Sequence, residues 1–150
     1  MIVLTIYGLD QFVVGKLSHD MTAALAELYE CDREEILFIA PEAMVFHNGV
    51  EQTSWNAIVK IDAPEKVAVL QSEAANLIIR MMQGPTINVQ ILFSYHSQDD
   101  FYESINNDYP RFIEEENLVH IEEERYSDHL EEGDGDDEIF TGDIFQDFRK

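Results

Sequence analysis

The 150-residue chain is poor in cysteine, in basic residues and in long apolar runs. Its single cysteine, Cys31, rules out an internal disulfide framework and every zinc site built from several cysteines. Nine basic residues stand against 31 acidic ones, for a net charge of −22. Nucleic acid is excluded as a ligand, because binding to phosphate is driven by Lys and Arg. Anionic membrane surfaces are excluded for the same reason. No segment approaches the roughly 18 apolar residues that a membrane-spanning helix needs. The first residues lack the basic flank and small-residue cleavage site of a signal peptide, so a cytoplasmic location is expected. Also missing are a phosphate-cradling glycine loop, a His-Glu-x-x-His pair, a nucleophile elbow and a paired-cysteine motif.

What is present divides unevenly. Residues 1–113 hold 16 acids and 6 bases, and residues 114–150 hold 15 and 3. The second part has only 10 apolar residues in 37, and all four prolines lie in the first. High charge with low hydrophobicity does not offset the entropy of ordering a chain. We therefore expect a folded domain over 1–113 and an acidic, disordered or loosely docked tail over 114–150. Residues 117–126, with Leu118, Val119 and Ile121, can add a short element to the core.

Within the first part, a unit of strand, helix and strand occurs twice. Ile2–Tyr7 is an apolar, β-branched run stopped by Gly8. Asp10 offers an N-cap to a helix reaching about Glu30, with Val13, Leu17, Met21, Leu25 and Leu28 as its apolar stripe. Residues 36–40 form the second strand, closed by Pro41. Residues 55–61 form the third, with Trp55, Ala57, Val59 and Ile61 inward. Pro64 suits a first helical turn. The stripe Val67, Leu70, Ala74, Leu77 and Met81 then predicts a second helix, ended by Gly84-Pro85. Residues 87–95 are the last strand, with Ile87, Val89, Ile91 and Phe93 inward. Between the halves, residues 44–46 and the pair Asn48-Gly49 predict a hairpin. The expected fold is an α/β (α+β) two-layer sandwich: pseudo-duplicated βαβ units in a four-stranded mixed sheet, with both helices on one face. The opposite face carries Ile58 and Leu92 among polar residues. Such a face is either partly hydrated or covered by a second copy of the chain.

The stretches IVLTIYG, EEILFIAPEAMVFHNG and VQILFSYHSQDDFYESINNDYPRF, in that order, resemble the tautomerase superfamily in its branch typified by macrophage migration inhibitory factor. The chain also resembles an uncharacterised bacterial family within it. The likeness covers about residues 1–112 and implies a homotrimer. It further implies a general base supplied by an amino-terminal proline, which needs a pKa near working pH. Position 2 here is Ile2, whose bulk predicts that Met1 is retained. Where the family has a lysine before the second strand, this chain has Asp32 or Arg33. Where it has a tyrosine and an asparagine on the last strand, this chain has Gln90 and Leu92. The resemblance thus implies a pocket near Met1, Ile2, Arg33, Asp62, Ala63, Gln90 and Leu92, kept in shape and diverged in chemistry. The expected protein is a binding module for a small molecule or a protein. The alternative is an isomerase using the Met1 amine or another base. No cofactor is expected.

Other candidates are weaker. Cys31 lies between Glu30 and Asp32, and negative neighbours disfavour a thiolate. Of the five histidines, His47 and His96 are the better site candidates, and no metal-ligand spacing occurs among them. Tyr95-His96 with Asp99-Asp100 lacks the converging oxygens of a divalent-cation loop. The run starting at Asp134 would place Phe145 where a calcium loop closes with glutamate, so no metal is expected there. In the tail, Ile139, Phe140, Ile144, Phe145 and Phe148 punctuate an acidic segment. They either dock on a basic, grooved protein partner, fold back on this chain or a neighbouring subunit, or have no specific role.

Overall fold

A computed structural model describes residues 1–113; the tail aromatics and the domain assignment of 114–150 lie outside the described residues. Six strands and two α-helices follow one another as β1 (Ile2–Tyr7), α1 (Gln11–Tyr29), β2 (Ile36–Ile39), β3 (Phe46–His47), β4 (Val50–Glu51), β5 (Asn56–Pro64), α2 (Gln71–Met81) and β6 (Asn88–His96). Short 3₁₀ turns occupy Arg33–Glu35, Glu65–Leu70 and Gln98–Asp100. The main sheet has the order β2-β1-β5-β6. β1 runs parallel to β2 and β5 parallel to β6, while the central pair β1–β5 is antiparallel. Each parallel pair with its helix is one copy of the repeated unit.

Strand alternation places one residue set under the helices. Ile2, Leu4, Ile6, Ala57, Val59, Ile61 and Ala63 are buried, and they share one core with Leu17, Met21, Leu25, Ala74 and Ile78 from the helices. Asp10 caps α1 as expected, its carboxylate accepting from the Phe12 backbone N–H at 2.8 Å. The hairpin also forms as expected. Asn48 and Gly49 both have positive φ, 49° and 80°, the condition for a primed turn that matches strand twist.

Four details correct the sequence reading. In α1 the buried stripe starts at Val14, and Val13 is half exposed, because at about 100° per residue Val14 lines up with Met21 and Leu25 while Val13 falls to one side of them. Trp55 precedes β5 and is 59% exposed, since the chain turns there through Ser54 before pairing begins. Ile87 likewise precedes β6 and is exposed. The second helix starts as a 3₁₀ segment. Three residues per turn shift the phase, so α2 buries Ala74 and Ile78, followed by Met82, while Leu77 and Met81 are only partly covered.

Candidate functional site at the Met1 end of the sheet

Strand directions decide what meets Met1. β1 and β2 both begin at this end, and β5 and β6 both finish there, as the pairs Ile2 with Ile36, Val3 with Asp62 and Pro64 with His96 show. Residues more than 60 positions apart therefore surround the first residue. A cavity of about 360 Å³ lies here, lined by Met1, Glu35, Pro64, Glu65, Lys66, His96, Ser97, Gln98 and Phe101.

Its chemistry is concentrated. The Met1 ammonium lies 3.8 Å from Glu35 Oε2. An ion pair of that length, open to water, contributes about 0–1 kcal/mol. His96 is half-buried, and its ring stacks on Phe101 with centroids 5.8 Å apart. Lys66 and Glu65 come from the 3₁₀ turn that Pro64 opens, and Pro64 adds an apolar wall. The cavity thus offers an ammonium, a lysine and an imidazole beside two carboxylates and a flat aromatic ring.

A larger hollow, about 760 Å³, runs between α1 and α2 beside Leu28, Leu77, Glu27 and Arg80. It is a surface furrow between two helices. The smaller cavity is the better site because titratable groups from four separate segments converge on it.

The residues expected at the pocket are only partly brought together. Met1 lines the cavity. Ile2 and Ala63 point the other way, into the core, at 3% and 0% exposure. Asp62 pairs with Val3 and lies on the open sheet face, as do Gln90 and Leu92, which pair with Ile58 and Lys60. Arg33 stands outside the cavity, at the start of its 3₁₀ turn. Within one chain, Gln90 and Leu92 lie four to six residues from His96 along β6, roughly 13–20 Å away.

The residues that sequence reasoning did not place here are Glu35, Pro64, Glu65, Lys66, Ser97, Gln98 and Phe101. Pro64 was legible only as a helix start. His96 was legible as a candidate, and stacking on Phe101 gives it a fixed place.

Cys31 lies in a separate hollow with Arg33 and Glu35. Its thiol is pushed up, first by burial and then by the Glu35 carboxylate, which disfavours the thiolate. Nearby, burial and the neighbouring Tyr95 push the Tyr29 hydroxyl up to about 12. Among the described residues, no group of three or more His, Cys, Asp or Glu side chains is placed to hold a metal ion. Among the same residues, no helix is long and apolar enough to cross a membrane.

Comparison with solved structures agrees with this architecture. The DUF1904 domain from Sebaldella termitidis superposes with a TM-score of 0.62 at 18% identity, over 69% of this chain and 95% of its own. A macrophage migration inhibitory factor homologue from Prochlorococcus marinus gives 0.55 at 14% identity, over 69% of this chain and 94% of its own. A fused 4-OT, solved as an asymmetric trimer, gives 0.50 at 12% identity, over 67% and 91%. The chain shares the fold of these structures, and at these identities the likeness shows the fold alone. No protein-family model matches the sequence, and no curated protein matches it closely enough to be significant.

Proposed function

We propose that this chain is a catalytically diverged protein of tautomerase type that binds a small molecule in the cavity at Met1. The observation that carries the reading is the pairing of the Met1 nitrogen with Glu35. The general base that the resemblance implies is a terminal proline, and here the first residue is Met1, with Glu35 Oε2 3.8 Å from its nitrogen. Where the resemblance implies a lysine before the second strand this chain has Asp32 or Arg33, and the side chain that lines the cavity from the turn before β2 is Glu35. The remaining groups suit binding. Lys66 and His96 can meet an anionic group, and Phe101 with Pro64 can cover a flat apolar one. The fused 4-OT trimer and the half-apolar open sheet face support homo-oligomerisation, with the trimer as the expected form. Residues 1–113 form the binding domain in this reading, and the acidic residues 114–150 serve a protein partner.

One observation favours a second reading, an isomerase using another base. His96 lies in the same cavity, half-buried and held by Phe101.

The test uses phenylpyruvate, with intact mass first establishing that Met1 is present. The expected result is saturable binding by calorimetry, with enol–keto conversion at the uncatalysed rate. Conversion above that rate, lost in His96→Gln, overturns the leading reading in favour of the second. Absence of binding up to millimolar concentration overturns both. Ile2→Pro, which exposes a terminal proline once Met1 is removed, then asks whether the pocket kept its shape. A gain in conversion says that it did; no gain assigns the loss to neighbours such as Glu35.

A further inference from the structure

The Met1 cavity is built along one row of the sheet. Ile2 pairs with Ile36 and Val3 with Asp62, so one residue further out Met1 stands level with Glu35 and Pro64. Pro64 pairs in turn with His96. Glu35, Met1, Pro64 and His96 therefore follow one another across the end of the sheet in the order of its strands. The row spans three strand spacings, roughly 14 Å. Glu65 and Lys66 continue the chain from Pro64, and Phe101 stacks on His96 at the far end. Charged groups thus occupy the part of the row from Glu35 to Lys66, and the rings of His96 and Phe101 close it.

The charges are balanced and lie close together. The Met1 ammonium and the Glu35 carboxylate are 3.8 Å apart, and Glu65 and Lys66 are consecutive. Among the described residues, neither Glu65 nor Lys66 has an ion-pair partner. A ligand with a carboxylate alone meets Lys66 but also faces Glu35 and Glu65. It enters, moreover, against the field of a chain whose net charge is −22. A ligand with an amine alone faces Met1 and Lys66. A ligand that carries both charges is matched by both signs and brings no net charge into that field. Phe101 is 39% exposed, which leaves ring surface for an apolar group.

We propose that the ligand of the Met1 cavity is a zwitterionic α-amino acid with an aromatic side chain. Its carboxylate meets Lys66, its ammonium meets Glu65, and its ring lies against Phe101 and Pro64. This rests on the reading of that cavity as a ligand site and adds the chemical class of the ligand. An α-amino acid holds both charges on one carbon, which suits cavity charges that are themselves neighbours. The volume of about 360 Å³ lies within the range of small-molecule sites.

The full chain labelled with carbon-13 in its methionine methyl groups supplies the probe. Met1 lines the cavity, whereas Met21 is buried in the core. Titration with phenylalanine, followed by NMR, should move the Met1 methyl signal and leave that of Met21 in place. Phenylalanine should bind about threefold or more tighter than phenylpyruvate, which lacks the ammonium, and than phenylalaninamide, which lacks the carboxylate. Glu65 and Lys66 are both exposed, so replacing them leaves the fold intact. Glu65→Gln should weaken phenylalanine and strengthen phenylpyruvate, and Lys66→Gln should weaken both, by about twofold or more in each case. Glu42→Gln, at an exposed acid outside the cavity, should change neither. Two results overturn the zwitterion and leave the small-molecule site standing. One is phenylpyruvate or the amide moving the Met1 signal with an affinity equal to that of phenylalanine. The other is Glu65→Gln shifting phenylalanine and phenylpyruvate in the same direction. Binding of phenylalanine with none of phenylpyruvate supports the zwitterion and counts against the tautomerase-type reading alone. If neither compound moves the Met1 signal up to millimolar concentration, the zwitterion and the ligand site are overturned together.

Discussion

The two faces of the main sheet come from the same strands and differ almost completely in burial. Under the helices lie Ile2, Leu4, Ile6, Ala57, Val59, Ile61 and Ala63, none more than 3% exposed. The other face presents Val3, Thr5 and Tyr7 from β1, Ile58, Lys60 and Asp62 from β5, and Gln90, Leu92 and Ser94 from β6. Ile39 and Leu92 there are 42% and 54% exposed. The alternation of a strand is absolute, so a residue's neighbours in sequence say little about its surroundings. Covered positions accept only apolar side chains; bare ones accept a mixture. The mixture here, with Lys60 and Asp62 near its centre, is too polar for a dry core. It suits a partner surface that stays partly wet.

The sharpest break in this contrast is a cavity on the covered face. Ile78→Ala removes a fully buried side chain of α2, and equilibrium denaturation should show a loss of about 2–5 kcal/mol. A loss below 1 kcal/mol would mean that the covered face is not packed as described.

The second test is chemical. The Tyr29 hydroxyl is buried against this core and pushed up to about 12 from an ordinary 10. Its folded-state value is the raised one, so the stabilisation is complete below pH 10 and is lost as pH rises from 10 to 12. At about 1.4 kcal/mol per unit, the loss is at most ~3 kcal/mol. Tyr29→Phe should remove that part of the alkaline decline, seen as a smaller difference in unfolding free energy between pH 9 and pH 11.5.

The smallest effect on folding belongs to the bare face. Leu92→Asp should change the unfolding free energy of the separated chain by less than about 0.5 kcal/mol. The same change should shift sedimentation at micromolar concentration from an oligomer to a single chain. An unaltered protein that sediments as a single chain would show that this face is simply hydrated.

Much of the architecture could be read in advance. The strand at Ile2–Tyr7, the Asp10 cap, the Asn48-Gly49 turn and the two helices follow from local signals that act within a few residues. The errors fall where a phase had to be assigned without its reference point. Trp55 and Ile87 stand outside their strands because the first paired residue decides where a strand begins, and Val13 stands off the stripe because successive four-residue steps drift around the helix. The site was much less legible. Nothing local links Glu35, Lys66 and Phe101 to Met1; they meet because two parallel pairs are joined antiparallel.

The sequence by itself determined the repeated strand–helix–strand pattern, the apolar stripes and the absence of a proline at position 2. Periodicity, caps and residue identity are properties of neighbours along the chain. Only the tertiary structure decided which groups surround Met1 and that a carboxylate faces its nitrogen. Those are contacts between distant segments, set by strand order and direction, which no short stretch of sequence encodes.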